Sequence, residues 1–471
     1  MNLKAGYYQQ DITPPVGITM PVSFDRTGKG WRLQGIHDPL YAKALVVNDG
    51  ETTLALVATD LVNMSKEVVK SIRELVEAEC GIPAKNIMVS STHTHSSAST
   101  RGRHDSPVNA VQCQKIAGAV VLAAENLEEV TLQVGKGHEN RVIYNRRKHI
   151  PGGVVTLMGR EEQYQSSIDM YYSRMGLKRE EVPGVPEDPR PLDGPIDDEV
   201  TVVTLLKSDG LPLAHMMNFS CHPVILSLLD RFISADWVGA ATRLVEQATK
   251  APCMFFQGCS GNIRPFYKES TFAEVVRVGN AIGGAALQAI AIQKPVETGA
   301  MPVLAKESIF IERLLKEGPT DLASAEKLLA EKQTAFDFKN MDENKLNAEE
   351  RRRLYYDISF LNRRITQIKR ANEASETIPA TSEEEFQVVK VGPIGFMCLP
   401  GEWFVEFGLQ LKAAQVFPVT IPVTLTQGGT YNPTQSEADL GGYESSVSRM
   451  KAGEGERAIA EVLLLARKLT N

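Results

Sequence analysis

Residues 42–60 read AKALVVNDGETTLALVATD, two runs rich in Val, Leu and Thr on either side of Asn48-Asp49-Gly50. An Asp-Gly pair between such runs is a hairpin signal, because glycine adopts the positive φ that joins two antiparallel strands. The same form returns at 201–223, TVVTLLKSDGLPLAHMMNFSCHP, turning at Ser208-Asp209-Gly210. It returns again at 386–402, FQVVKVGPIGFMCLPGE, turning at Gly392-Pro393. Each hairpin ends in a polar group: Asp60, then Cys221-His222-Pro223, then Gly401-Glu402. A shorter run, NIMVSS at 86–91, leads directly into His93 and His95.

Helical patterns lie between these strands. SKEVVKSIRELVEAECG at 65–81 repeats apolar residues at helical spacing and stops at Gly81, a C-cap residue. VGAATRLVEQATK at 238–250 reads as a helix directly after Asp236. Strands and helices alternating along the whole chain predict a layered α/β domain, a mixed sheet with flanking helices. Residues 314–374 differ: they are charged and helical, with a break at KNMDENKLN (339–347) and Asn347 as N-cap of a second helix. The expectation is one catalytic domain over 1–471 with a helical hairpin inserted at 314–374, serving as a solvated packing arm or as a substrate lid.

Composition narrows the partners. A net charge of −7 without a long basic block argues against nucleic acid or an anionic membrane surface. No apolar run approaches the roughly 18 residues of a membrane span, and the first residues lack the apolar core of a signal peptide. These features predict a cytoplasmic location. The six cysteines form no CxxC pair and read as reduced, mostly buried thiols.

If the strand 86–91 continues through the histidines, His93 and His95 project to one face, since side chains alternate with period two. HxH is a common chelating arrangement for that reason, and it is also an ordinary polar loop. His222, Glu402, Asp60 and Asp236 lie at other strand ends or before a helix. Mixed histidine and carboxylate ligands at strand ends are what a catalytic zinc site uses. Taken singly, His222 also fits a satisfied core histidine and Glu402 a loop carboxylate.

These residues carry a resemblance. STHTHS (91–96), NFSCHPV (218–224), FFQGCSGNIRP (255–265), LPGEWF (399–404) and GGTYNPT…GGYE (428–444), in this order, resemble the catalytic domain of the neutral/alkaline ceramidase family. DITPPVG and IHDPLYAKALVV near the start are similar to that family too. The resemblance implies a zinc-dependent amidase in which His93, His222, Glu402 and Tyr431 hold Zn2+. It implies that His95, Arg146 and Tyr443 face the reacting carbonyl of a small-molecule substrate. Asp60 and Asp236 are then candidate orienters of the ligand histidines.

The sequence departs from the family at SGNIRPF, where Asn262 and Arg264 stand in place of an aspartate and a serine. That removes a serine nucleophile. Arg264 either places a positive charge in or near the pocket, which favours an anionic or polar substrate over a neutral lipid, or is a structural surface residue; ceramide itself is not the expected substrate. Two other readings keep the same residues: a metal-dependent esterase, lactonase or phosphoesterase, and a non-catalytic ligand-binding protein on this scaffold.

Overall fold

A computed structural model describes residues 3–17, 19–20, 31–97, 107–150, 153–158, 164–174, 194–226, 231–296, 304–341 and 348–470. The larger sheet contains β1 (Lys4–Asp11), β2 (Tyr41–Asn48), β3 (Thr53–Thr59), β4 (Ile87–Ser91), β5 (Glu128–His138), β6 (Glu199–Lys207), β7 (Pro212–Phe219) and β8 (Cys253–Gln257). Their order is β8-β7-β6-β5-β1-β2-β3-β4, and the short strand Lys294–Pro295 also pairs with β5. A four-stranded sheet follows: β9 (Leu304–Leu314), β10 (Thr381–Val391), β11 (Ile394–Cys398) and β12 (Val419–Val423), in chain order.

The three hairpins form as their turns predict, β2–β3, β6–β7 and β10–β11, all antiparallel. Gly50, Gly210 and Gly392 have φ of 94°, 82° and 57°. Asp49 Oδ1 accepts the backbone N–H of Thr52 at 2.8 Å and closes the first turn. Each hairpin is then followed by a strand added in parallel, β4 on β3, β8 on β7 and β12 on β11. That repeated plan sends the C-terminal ends of β4, β7 and β11 into loops that carry His93, His222 and Glu402.

Alternation along the strands separates the layers. In β2, Ala42, Ala44 and Val46 face helices Lys66–Cys80 and Pro107–Glu125, while Leu45 and Val47 face the second sheet. The Lys66–Cys80 helix is capped at both ends as expected. Ser65 accepts from Val68 N–H, and Gly81, at φ 73°, donates to the Glu77 carbonyl. It buries Val68, Val69, Ile72 and Val76. Helices Asp236–Thr249 and Phe272–Ala291 cover the other half of the large sheet. Helices Val405–Ala413 and Glu454–Lys468 cover the outer face of the small one. The result is helices, sheet, sheet, helices, with the large sheet bent until β4 and β8 approach each other. The loop after β12 runs between them: Thr424 N–H donates to the Gln257 carbonyl and Ser91 N–H to the Leu425 carbonyl.

Two helices, Leu322–Met341 and Ala348–Glu373, lie between β9 and β10, which pair along their full length up to Leu314 opposite Thr381. Asn347 lies outside the described residues. The second helix packs on the short helix Gly442–Val447. Among the described residues no helix is long and apolar enough to cross a membrane.

Candidate metal centre

Strand β4 ends at Ser91, two residues before His93, so period-two alternation does not align the histidine pair. His93 instead adopts φ 76°, a left-handed conformation that costs a non-glycine residue about 1–3 kcal/mol. Two contacts hold it there: His93 N–H donates to Leu61 O at 2.9 Å, and Nδ1 meets Val62 O at 2.6 Å. His95 is tied in turn to the other histidine loop, its N–H donating to Pro223 O. The rings converge through this loop, with His93 and His95 centroids 4.9 Å apart and His93 and His222 centroids 4.8 Å apart.

His222 mirrors His93. Its Nδ1 meets Ser260 O at 2.6 Å and Ile263 O at 3.0 Å. A ring nitrogen facing only carbonyl oxygens must carry the hydrogen, so in the neutral tautomer Nε2 is the lone-pair atom. Both Nε2 atoms lie against one carboxylate oxygen, Glu402 Oε2, at 3.2 Å from His93 and 3.1 Å from His222. His95 Nε2 lies 3.4 Å from His93 Nε2. Ligand atoms of His93, His95 and His222 all fall within 4.8 Å of one another. His93 and His222 are buried, whereas His95 and Glu402 are partly exposed, so the cluster opens on their side.

Glu402 reaches this point through a glycine-lined crossing. Gly401, at φ 77°, lies so close to the next loop that an added Cβ would stand 2.6 Å from Thr430 O. The close approach pairs Glu402–Trp403 in parallel with Tyr431–Asn432, placing Glu402 beside Tyr431. The Tyr431 ring stacks on His222 at 6.4 Å and meets the Tyr443 ring at 5.9 Å. Arg146 lies over both phenol rings, 5.5 Å and 5.9 Å from their centroids. Its Nε donates to Glu444 Oε1 and its Nη2 to Gly261 O, each at 2.7 Å.

The electrostatics follow from this crowding. Withdrawal from water holds the His222 imidazole down at about 4, and with the neighbouring histidines it holds His95 well below the usual range. Burial alone would raise the Glu402 carboxyl, but His93 and His222 hold it well below the usual carboxylate range. Burial raises the Tyr431 and Tyr443 phenols, so both keep their protons at neutral pH.

Every residue singled out in the sequence for the metal or the substrate is thus in one place: His93, His95, Arg146, His222, Glu402, Tyr431 and Tyr443. Asp60 and Asp236 are near but touch no imidazole nitrogen. Asp60 accepts from Thr92 Oγ1 at 3.2 Å and from Tyr41 N–H at 2.9 Å. Asp236 accepts from the backbone of Leu226 and Trp237, and Trp237 Nε1 donates to His222 O. The groups that orient the imidazoles are backbone carbonyls, which no side-chain pattern announces. Glu444, the partner that fixes Arg146, also went unrecognised. Its GGYE context was the available signal.

Arg264 is buried beside this cluster. Its Nη2 donates to Tyr267 Oη at 3.2 Å, and its Nε has no partner among the described residues. Its positive charge falls on His95. Asn262 is a brace: its Nδ2 donates to Glu406 and its Oδ1 accepts Val405 N–H.

No family model matches the chain. Solved structures do. A neutral ceramidase from Pseudomonas aeruginosa superposes with a TM-score of 0.68 at 16% sequence identity, covering 100% of this chain and 75% of that one. A ceramidase complexed with C2 superposes with a TM-score of 0.69, at the same identity and coverage. The fold is neutral ceramidase-like.

Proposed function

We propose that the protein is a metal-dependent hydrolase that cleaves an amide (N-acyl) bond, with zinc as its metal. One observation carries the reading: the Nε2 lone pairs of His93 and His222 and an ionised Glu402 oxygen converge at 3.1–3.2 Å. Acceptors facing acceptors at that distance are reconciled by a proton or by a metal ion between them, and the donor set favours the metal. Two imidazoles and a carboxylate, oriented from behind and open on one side, form the donor set of a catalytic zinc site. His93, His222 and Glu402 would hold the ion, with Tyr431 beside it. A zinc ion held there would lower the pKa of a bound water to about 7 and polarise a carbonyl oxygen.

The chain's own groups supply the rest. Attack on an amide carbonyl places negative charge on its oxygen, which must find donors. The Tyr443 phenol keeps its hydrogen, and Arg146, pinned by Glu444, carries a fixed positive charge beside it. His95, on the open side of the cluster, faces the incoming carbonyl. The departing amine nitrogen must gain a proton, and the products are a carboxylate and an amine.

A second reading keeps the metal and changes the bond to a carboxylic or phosphate ester. Arg264 favours it, because a buried guanidinium with an unpartnered Nε suits an anionic group. Matched N-acyl amides and O-acyl esters of one scaffold separate the two. Zinc-loaded protein that hydrolyses amides, with activity falling roughly 100-fold or more in Glu402→Ala, supports the amidase. Turnover of esters alone moves the assignment to an esterase. Zinc bound without turnover of either leaves a ligand-binding protein.

A further inference from the structure

Beyond the metal centre, the helix Ala348–Glu373 turns Arg363, Arg364 and Arg370 into a cleft of about 430 Å³. Arg363 and Arg370, seven positions apart, share one helical face, and Arg364 flanks it. Lys316 and Arg449 line the same cleft from the chain segments opposite. Against these five cationic side chains the lining offers one carboxylate, Glu376. Arg364 is buried, and among the described residues its guanidinium meets the carbonyls of Pro319 and Gly318, at 2.8 Å and 3.5 Å. Arg363 Nη2 donates to Ser446 Oγ at 3.2 Å, and Lys316 Nζ to Ser445 O. Among the described residues Arg370 and Arg449 form no ion pair.

Five like charges around one partly buried space repel one another. Burial and the charge of Arg363 bring the Lys316 ammonium down to about 8. Folded proteins rarely concentrate charge this way without an opposite charge to receive, and guanidinium forks match the oxygens of phosphate and carboxylate. We propose that this cleft binds a small molecule bearing two or more phosphate or carboxylate groups. The site is separate from the metal cluster and stands whether or not that cluster is catalytic. It adjoins it through Ser446, whose hydroxyl donates to Tyr443 O at 2.8 Å.

Isothermal titration of the full-length, zinc-loaded chain tests this with two probes: fructose 1,6-bisphosphate for phosphate and propane-1,2,3-tricarboxylate for carboxylate. Saturable one-to-one binding of either is expected, and the better probe names the preferred group. The exposed pair Arg370→Glu/Arg449→Glu should weaken binding roughly tenfold or more, which corresponds to about 1.4 kcal/mol per factor of ten. Lys4→Glu/Lys468→Glu, an equal charge change on remote exposed positions, should leave it within about twofold. The proposal is overturned if neither probe binds, if the cleft pair binds as wild type does, or if both pairs lose affinity equally.

Discussion

His93 shows how a single residue can be legible in type and illegible in geometry. An HxH pair after a strand signals chelation, and the pair does converge with His222. Yet the route is a left-handed residue at φ 76° rather than strand alternation, because Leu61 and Val62 offer carbonyls that the strand does not. A carbonyl has no letter in the sequence, so the orienting half of the site was invisible there. Glu444 was hidden for another reason: its partner Arg146 lies 298 positions away. Arg264 yields a prediction at this scale. Arg264→Ser should raise KM for substrates with an acidic group by roughly tenfold while leaving neutral analogues within about twofold. Steady-state kinetics on charge-matched pairs measures it, and equal effects on both would remove Arg264 from substrate selection.

At the scale of elements, the three Asp-Gly and Gly-Pro hairpins were readable because their turns demand specific residues. The parallel pairing that follows each was not, even where the strand itself was read, as at 86–91, since nothing local encodes a partner so far along the chain. The helix pair between β9 and β10 was legible as helices. Its docking on Gly442–Val447 was not, because that contact depends on where β9 and β10 end. The Gly401 crossing is the element on which the site most depends. Gly401→Ala adds a Cβ 2.6 Å from Thr430 O at φ 77°, and should destabilise the fold by about 1–3 kcal/mol. It should also push Glu402 out of register with Tyr431, weakening zinc binding roughly tenfold or more. Urea unfolding and a competitive chelator titration read the two effects separately. Wild-type values for both would mean the crossing has room to spare.

Across the whole molecule, layering was predictable from alternation, but the bending that brings β4 and β8 together emerges only when both sheets are assembled. That bend is what unites His93, after the edge strand β4, with His222, after β7, the neighbour of the opposite edge strand. Acid stability is a property of this same assembly. His215 is buried in β7, and burial brings its imidazole down to about 4. A folded pKa below the unfolded value of roughly 6.5 gives stability that is present above that value and lost as pH falls toward 4. Between pH 7 and pH 5 the wild type should therefore lose about 2 kcal/mol that His215→Asn does not. Urea midpoints at the two pH values measure it, and parallel losses in both proteins would exclude His215 as the sensor. The metal centre is tested by the metal content of the purified protein, measured by plasma mass spectrometry. Untagged protein should carry about one zinc per chain, with most of it gone in Glu402→Ala and in His222→Ala. Zinc-free wild type after zinc has been offered, or full zinc in both variants, would mean that these residues hold no metal.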